Sequence, residues 1–260
     1  MKSIPLARLG LTLLAGFFLA VAPARAQDTP ARAQNAPSNC EVPAYLLTTE
    51  STLPKVEHAV KGGRPLDVLV VGSRSSSIST SEGSAWPVRL QAMLKQTLPK
   101  VPVSVSVELH IKKTAEEVAA GLVKLVEVKR PTLVIWQTGT YDAMRSVDPD
   151  DFRAAVGDGV VALKEAGADV VLMNLQYSPR TEAMISAPPY LDNMRVVAQQ
   201  YDVPLFDRFT LMRHWNDQGD FDLYSASNGL DLAKRVHDCI GRALAKFVIE
   251  AARVNPAPQN

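Results

Sequence analysis

The chain has 260 residues, 47% of them hydrophobic and 21% charged, with a formal net charge of +1. That is long and apolar enough for one sizeable buried core. Three of the 28 basic residues, and none of the 27 acidic ones, lie in the first 26 positions. The remainder is slightly acidic, which excludes the basic, phosphate-seeking class of nucleic-acid-binding domains.

Residues 1–26 read as a targeting segment. Lys2 and Arg8 give a positive start, 9–22 are apolar, and Ala24-Arg25-Ala26 is a small-x-small cleavage pattern. The apolar run is shorter than the roughly 20 residues a membrane span needs. A secretory signal removed ahead of Gln27 is expected, leaving a periplasmic or secreted protein that is not integral to the membrane. Residues 27–39, polar and rich in Pro and Ala, are expected to be a disordered leader, and 255–260 a disordered tail. One domain is expected over 40–254. Export to an oxidising compartment favours a disulfide between Cys40 and Cys239, the alternative being two unpaired buried thiols.

Within the domain, short β-branched runs at 66–71, 101–109, 133–137, 169–175 and 204–206 predict strands. Helices are predicted between them. Over 86–98, Trp86, Leu90, Met93, Leu94 and Leu98 share a face, with Pro87 at the start. The helix over 114–128 opens on the capping-box pattern Thr114-Ala115-Glu116-Glu117. That over 149–166 has Pro149 and two aspartates at its positive end and Gly167 just past its close. Helices over 189–201 and 232–252 follow. Such alternation predicts right-handed crossovers and a mostly parallel sheet covered on both faces.

In such sheets ligands sit beyond the carboxyl ends of the strands. Those ends carry Gly72-Ser73-Arg74-Ser75-Ser76-Ser77, Trp136-Gln137-Thr138-Gly139-Thr140-Tyr141-Asp142 and Asn174-Leu175-Gln176-Tyr177-Ser178-Pro179-Arg180. The last helix is preceded by Ser225-Ala226-Ser227-Asn228-Gly229-Leu230-Asp231. Polar groups converging from several strand ends suggest a hydrolase-type site. The candidate ligand-binding residues are Ser73, Arg74, Gln137, Tyr141, Gln176, Tyr177, His214 and Asp231.

Taken in order, these blocks resemble the SGNH/GDSL hydrolase family, and within it an exported bacterial branch whose first block reads Gly-Ser-Ser-Ser-Thr. The likeness runs from Cys40 to about Ala252. It is strongest in Leu133-Val134-Ile135-Trp136-Gln137-Thr138-Gly139-Thr140, in Gly167-Ala168-Asp169-Val170-Val171-Leu172-Met173 and in Met212-Arg213-His214-Trp215. The resemblance implies a flavodoxin-like three-layer α/β/α sandwich on a five-stranded sheet. It also implies ester hydrolysis by a serine nucleophile with an Asp-x-x-His pair near the C-terminus. No histidine or cysteine spacing suggests a metal site, no cofactor is expected, and a glycan, an acyl group or a partner is the expected ligand of the cleft.

The signature positions depart from that pattern. The nucleophile position holds Arg74, the oxyanion asparagine is replaced by Tyr141, and the Asp-x-x-His pair falls on Asn228 and Asp231. No glycine lies in 108–114, where the second block should supply one. Arginine has no acceptor and keeps its proton, so it cannot attack a carbonyl. A carboxylate near its ordinary pKa is a weak base for a serine hydroxyl. Ser73 and Ser75 are the alternative nucleophiles. His237 lies six helical residues past Asp231, about 600° of turn and so 120° off its face; it suits helix packing better than catalysis. Asp142 suits a turn or cap better than an acid catalyst. An Arg74–Asp231 ion pair filling the old cleft is expected. The primary expectation is a binding or accessory protein on an esterase scaffold, and the alternative an active esterase or deacetylase using Ser73 or Ser75 with an unusual histidine.

Overall fold

A computed structural model of the protein describes residues 40–224 and 229–254. The signal segment, leader and tail expected from sequence, and Asn228, lie outside the described residues. Five strands form the centre: β1 (Leu66–Gly72), β2 (Val103–Leu109), β3 (Leu133–Gln137), β4 (Asp169–Met173) and β5 (Leu205–Phe206). All pairings are parallel, in the order β2-β1-β3-β4-β5. β3 and β4 are buried throughout, and only Asp67 of β1 is exposed. These unbroken Val, Leu and Ile runs suit strands covered on both faces.

The helices are α1 (Pro54–Lys61), α2 (Trp86–Thr97), α3 (Ala115–Lys129), α4 (Thr140–Arg145), α5 (Pro149–Glu165), α6 (Pro179–Met184), α7 (Pro188–Gln200), α8 (Arg208–Asp217) and α9 (Gly229–Ala251). α3, α5 and α7 pack side by side, and α2 packs against α9. The architecture is the flavodoxin-like α/β/α sandwich that the family resemblance implies, with the parallel sheet covered on both faces that the alternation of strands and helices predicts. α2 and α9 approach closely because Gly241 lacks a side chain: a Cβ there would fall 2.5 Å from the Cβ of Arg89 and 2.9 Å from the backbone nitrogen of Leu90. Cys40 and Cys239 are joined in a disulfide, their Cα atoms 5.2 Å apart, which ties the start of the domain to α9.

Local chemistry sets the element ends. Thr114 and Glu117 form the capping box at α3, the Thr114 N–H donating to Glu117 Oε2 at 2.9 Å. Asp148 caps α5 by accepting from the Asp150 N–H at 2.8 Å. Asp142 Oδ1 accepts the Ala115 N–H at 2.7 Å, so Asp142 is a cap for α3 as its sequence context suggests. β4 stops at Met173 rather than at 175, because the Asn174 side chain turns to α8. β2 starts at Val103 rather than at 101, because Val101 closes a turn onto Leu98. The four short helices α1, α4, α6 and α8 were not expected from sequence.

Candidate functional site

The strand carboxyl ends gather one polar cluster. Gly72 ends β1 and leads through Ser73 into a single 3-10 turn, Arg74–Ser76. The turn directs Ser73 and Ser75 to one partner, Gln137, the buried last residue of β3. Gln137 Nε2 donates to Ser73 Oγ at 2.7 Å and to Ser75 Oγ at 2.8 Å. The two hydroxyl oxygens stand 3.4 Å apart. Buried Ser76 donates to Gln137 Oε1. One amide thus has its oxygen and both N–H groups committed, and it fixes three serines of the turn.

Arg74 alternates to the outside. It is exposed and makes no ion pair among the described residues. The expected Arg74–Asp231 pair does not form: Asp231 lies in the first turn of α9 with 82% of its side chain exposed, 3.7 Å from Lys234. An exposed pair gains too little Coulomb energy in water to hold two side chains together across a cleft.

A shallow cleft opens beside the serines, lined by Gly72, Ser73, His110, Lys113, Gln137 and Thr138 to Asp142. Tyr141 lies in this lining, at the start of α4 after Gly139, whose φ of 95° needs a residue without a side chain. Asp142 reaches the lining but is itself 1% exposed, and burial pushes its carboxyl pKa up. His110 enters because its N–H extends the ladder to the Gly72 carbonyl at 2.8 Å. The strand end at 109 is as expected, but no motif around His110 marks it as a site residue. In the glycine-free stretch 108–114, Lys112 takes a left-handed φ of 57°.

Other expected residues lie elsewhere. Gln176 follows β4, its N–H donating to Thr140 Oγ1 at 3.3 Å. Tyr177 is buried edge-on against Phe209, ring centroids 5.2 Å apart. His214 sits on α8 and makes no side-chain hydrogen bond to the serines. Asn228 is outside the described residues.

The residue that sequence reasoning missed is Arg208. It begins α8, one residue past Asp207 at the close of β5, and is 1% exposed. Its Nη1 donates to Ser75 Oγ at 3.3 Å. Ser75 therefore accepts from a guanidinium and an amide together. A signal existed: Arg208, Leu211, Met212 and Trp215 share the i, i+3, i+4, i+7 spacing of one helix face, and all four are buried.

His237 stands near this group without joining it. Its Nδ1 accepts the Trp86 N–H at 3.0 Å. Burial, with a smaller push from the Arg208 charge, lowers its pKa to about 4. It is a neutral packing histidine between α9 and α2. Among the described residues, no imidazole or carboxylate is hydrogen-bonded to Ser73 or Ser75.

A model of the non-GDSL lipase-like family matches residues 39–254. No curated protein matches the chain in sequence. Among solved structures the fold is similar to that of TesA, with 21% identity, a TM-score of 0.54, and 68% of this chain and 97% of that one covered. It is also similar to a catalytic mutant of Axe2, an acetylxylan esterase from Geobacillus stearothermophilus, with 13% identity, a TM-score of 0.57, and coverage of 70% and 94%. The SGNH-hydrolase family esterase AlinE4 is 17% identical with a TM-score of 0.50, over 60% of this chain and 82% of that one. At these identities the likeness is one of fold.

Proposed function

Because the chain belongs to the non-GDSL lipase-like family, we propose that it is an exported binding or accessory protein on an ester-hydrolase scaffold, without serine-triad hydrolysis. The observation that carries this reading is the company of the two serines. A serine attacks an ester once a neighbouring base takes its proton. Here Ser73 and Ser75 accept from the Gln137 amide, and Ser75 also from Arg208. Both neighbours are donors, and a guanidinium does not act as a base near neutral pH.

The cleft beside Ser73 retains what an acyl or acetylated carbohydrate ligand would use: the Tyr141 ring and hydroxyl, the His110 imidazole and the Lys113 ammonium. Neighbours of this fold include an acetylxylan esterase, which supports that ligand class. The disulfide supports an oxidising compartment. No helix among the described residues is long and apolar enough to cross a membrane.

A fluorophosphonate probe tests the reading on the purified protein. No labelled serine, together with glycan or acyl-ester binding in a ligand screen, is the expected result. Labelling abolished by Ser73→Ala or Ser75→Ala would overturn it. One observation favours that second reading, hydrolysis by an altered site: His110 lines the same cleft as Ser73. In that event His110→Ala would abolish labelling as well.

A further inference from the structure

The sheet has two outer strands, and they are finished differently. β5 is only two residues long, too short to recruit another chain. β2, at the opposite edge, runs seven residues and among the described strands pairs only with β1. At its two ends the Leu66 N–H donates to the Pro102 carbonyl, and the His110 N–H to the Gly72 carbonyl, both at 2.8 Å. In a parallel ladder such bonds fall on alternate residues of a strand. The even-numbered residues of β2 therefore turn their backbone groups to β1, and Val103, Val105, Val107 and Leu109 turn theirs outward. Gln91 of α2 accepts the Val105 N–H on its Oε1 at 2.7 Å. No acceptor among the described residues meets the N–H of Val107 or Leu109.

The devices that usually blunt an edge strand do not occur in β2. Residues 103–109 contain no proline and no lysine. Their one charge, Glu108, is turned back onto Lys129 of α3 at 2.8 Å. Val107, Leu109 and Ile111 recur at every second position, and all three are exposed. Val88, one turn before Gln91 on the same side of α2, is exposed as well. Open amides beside an apolar row are what strand addition uses.

We propose that this edge joins a second copy of the chain, β2 against β2, antiparallel about a twofold axis at Val107, to give one continuous sheet with five strands from each copy. The strand is complementary to itself in that register, as an isologous contact requires. The Val107 N–H of each copy donates to the Val107 carbonyl of the other. Each Leu109 N–H donates to the Val105 carbonyl opposite. The Val105 N–H is not needed, so the Gln91 cap stays in place. On the α2 face Val107 meets Val107, and Leu109 meets Val105. On the α3 face Glu108 meets the Ser106 hydroxyl, and His110 meets Ser104. The Ser104 hydroxyl donates to the Asp67 carboxylate at 2.6 Å, so an acid lies beside each imidazole across the axis. A twofold axis one residue further on would set the two Glu108 carboxylates directly opposite, where like charges destabilise the pair.

This goes beyond the cleft reading and is independent of it, since the edge pairs whether or not the cleft holds a ligand. The two regions meet at His110, which follows β2 and also lines the cleft beside Ser73. In the dimer each cleft has the second copy beside this wall.

The contact lies at the small end of specific interfaces, so a dissociation constant of about 1–100 µM is expected by sedimentation equilibrium. Val107→Lys sets two ammonium groups face to face and should leave a monomer with an unchanged Tm. Ser106→Lys, placed opposite Glu108, should tighten the dimer at least about twofold. Val107→Cys should cross-link the copies under a mild oxidant, because directly opposed Cα atoms stand about 5.5 Å apart, within disulfide reach. Leu109→Cys, four residues out of step with its counterpart, should not. A wild-type protein that stays monomeric at about 300 µM, a dimer indifferent to Val107→Lys and Ser106→Lys, or cross-linking as efficient at 109 as at 107 would each overturn the proposal. So would a monomer whose β2 amides gain hydrogen-exchange protection only with an added extended peptide, which would assign the edge to a different partner. The two cysteine variants decide the matter should Val107→Lys fail to fold.

Discussion

His237 should make the fold acid-labile by itself. Its Nδ1 accepts the Trp86 N–H at 3.0 Å, at the start of α2, where Ala85 provides no side-chain cap. Protonation removes that acceptor and places a second cation near buried Arg208. The imidazole pKa is lowered from 6.5 to about 4, first by burial and then by the Arg208 charge. In the unfolded chain the same imidazole takes up its proton near its ordinary value. The folded pKa is the depressed one, so the contribution is complete above pH 6.5 and is lost as pH falls through about 4. At about 1.4 kcal/mol per pH unit the difference amounts to about 3 kcal/mol. Urea unfolding at several pH values should show this loss in the wild-type protein. His237→Asn offers Trp86 an amide oxygen in place of Nδ1 and does not titrate. Its stability should fall less over the same range, by about 3 kcal/mol. Parallel pH profiles for the two proteins, or a His237 pKa of 6 or above measured by NMR, would refute the reasoning.

Arg74→Ser should leave stability within about 0.5 kcal/mol, because Arg74 is exposed and has no ion-pair partner among the described residues. It should also confer no esterase activity on a chromogenic acetate ester, since among the described residues no imidazole or carboxylate is paired with the side chain at position 74; measurable turnover would show the opposite. Cys40→Ser should cost about 2–5 kcal/mol in denaturant unfolding, because the disulfide closes a loop spanning 199 residues of separation; unchanged stability would show that the bond is strained or absent in solution. Gly241→Val should destabilise by about 1–3 kcal/mol or more, since even its Cβ must displace α2 backbone 2.9–3.0 Å away; a wild-type Tm would show that α2 and α9 stand further apart.

The strands and longer helices were legible because their signals are dense. β3 occupies 133–137 as expected, since five consecutive buried residues between a Pro-Thr pair and a Thr-Gly pair leave little freedom in its bounds. α3 begins where its capping box says it should. α4 and α6, at six residues each, are too short for a helical period to emerge. The site was half legible for a related reason. Sequence shows which residues follow a strand, and so it places Ser73, Gln137 and Tyr141 at one edge of the sheet. It does not show which way each faces on a tight turn. Arg74 and Asp231 occupy positions that the family resemblance sets side by side, yet both face water. Arg208 lies on a helical stripe of apolar residues, where an arginine is easily taken for a boundary of the buried face rather than a member of it.

The geometry of the turn carries more information than the identity of its central residue. A 3-10 turn over 74–76 sends 73 and 75 toward Gln137 and leaves 74 outside. Replacing Arg74 with serine would not by itself bring a hydroxyl onto Gln137. The serines of this stretch that meet the Gln137 amide nitrogen are Ser73 and Ser75. Those oxygens are surrounded by donors, an arrangement that would stabilise negative charge on oxygen but supplies nothing to remove a proton. The strand-end cluster is thus suited to holding an electron-rich oxygen. A ligand carbonyl or carboxylate presents such an oxygen without any bond being broken, which is why we propose binding rather than turnover for these contacts.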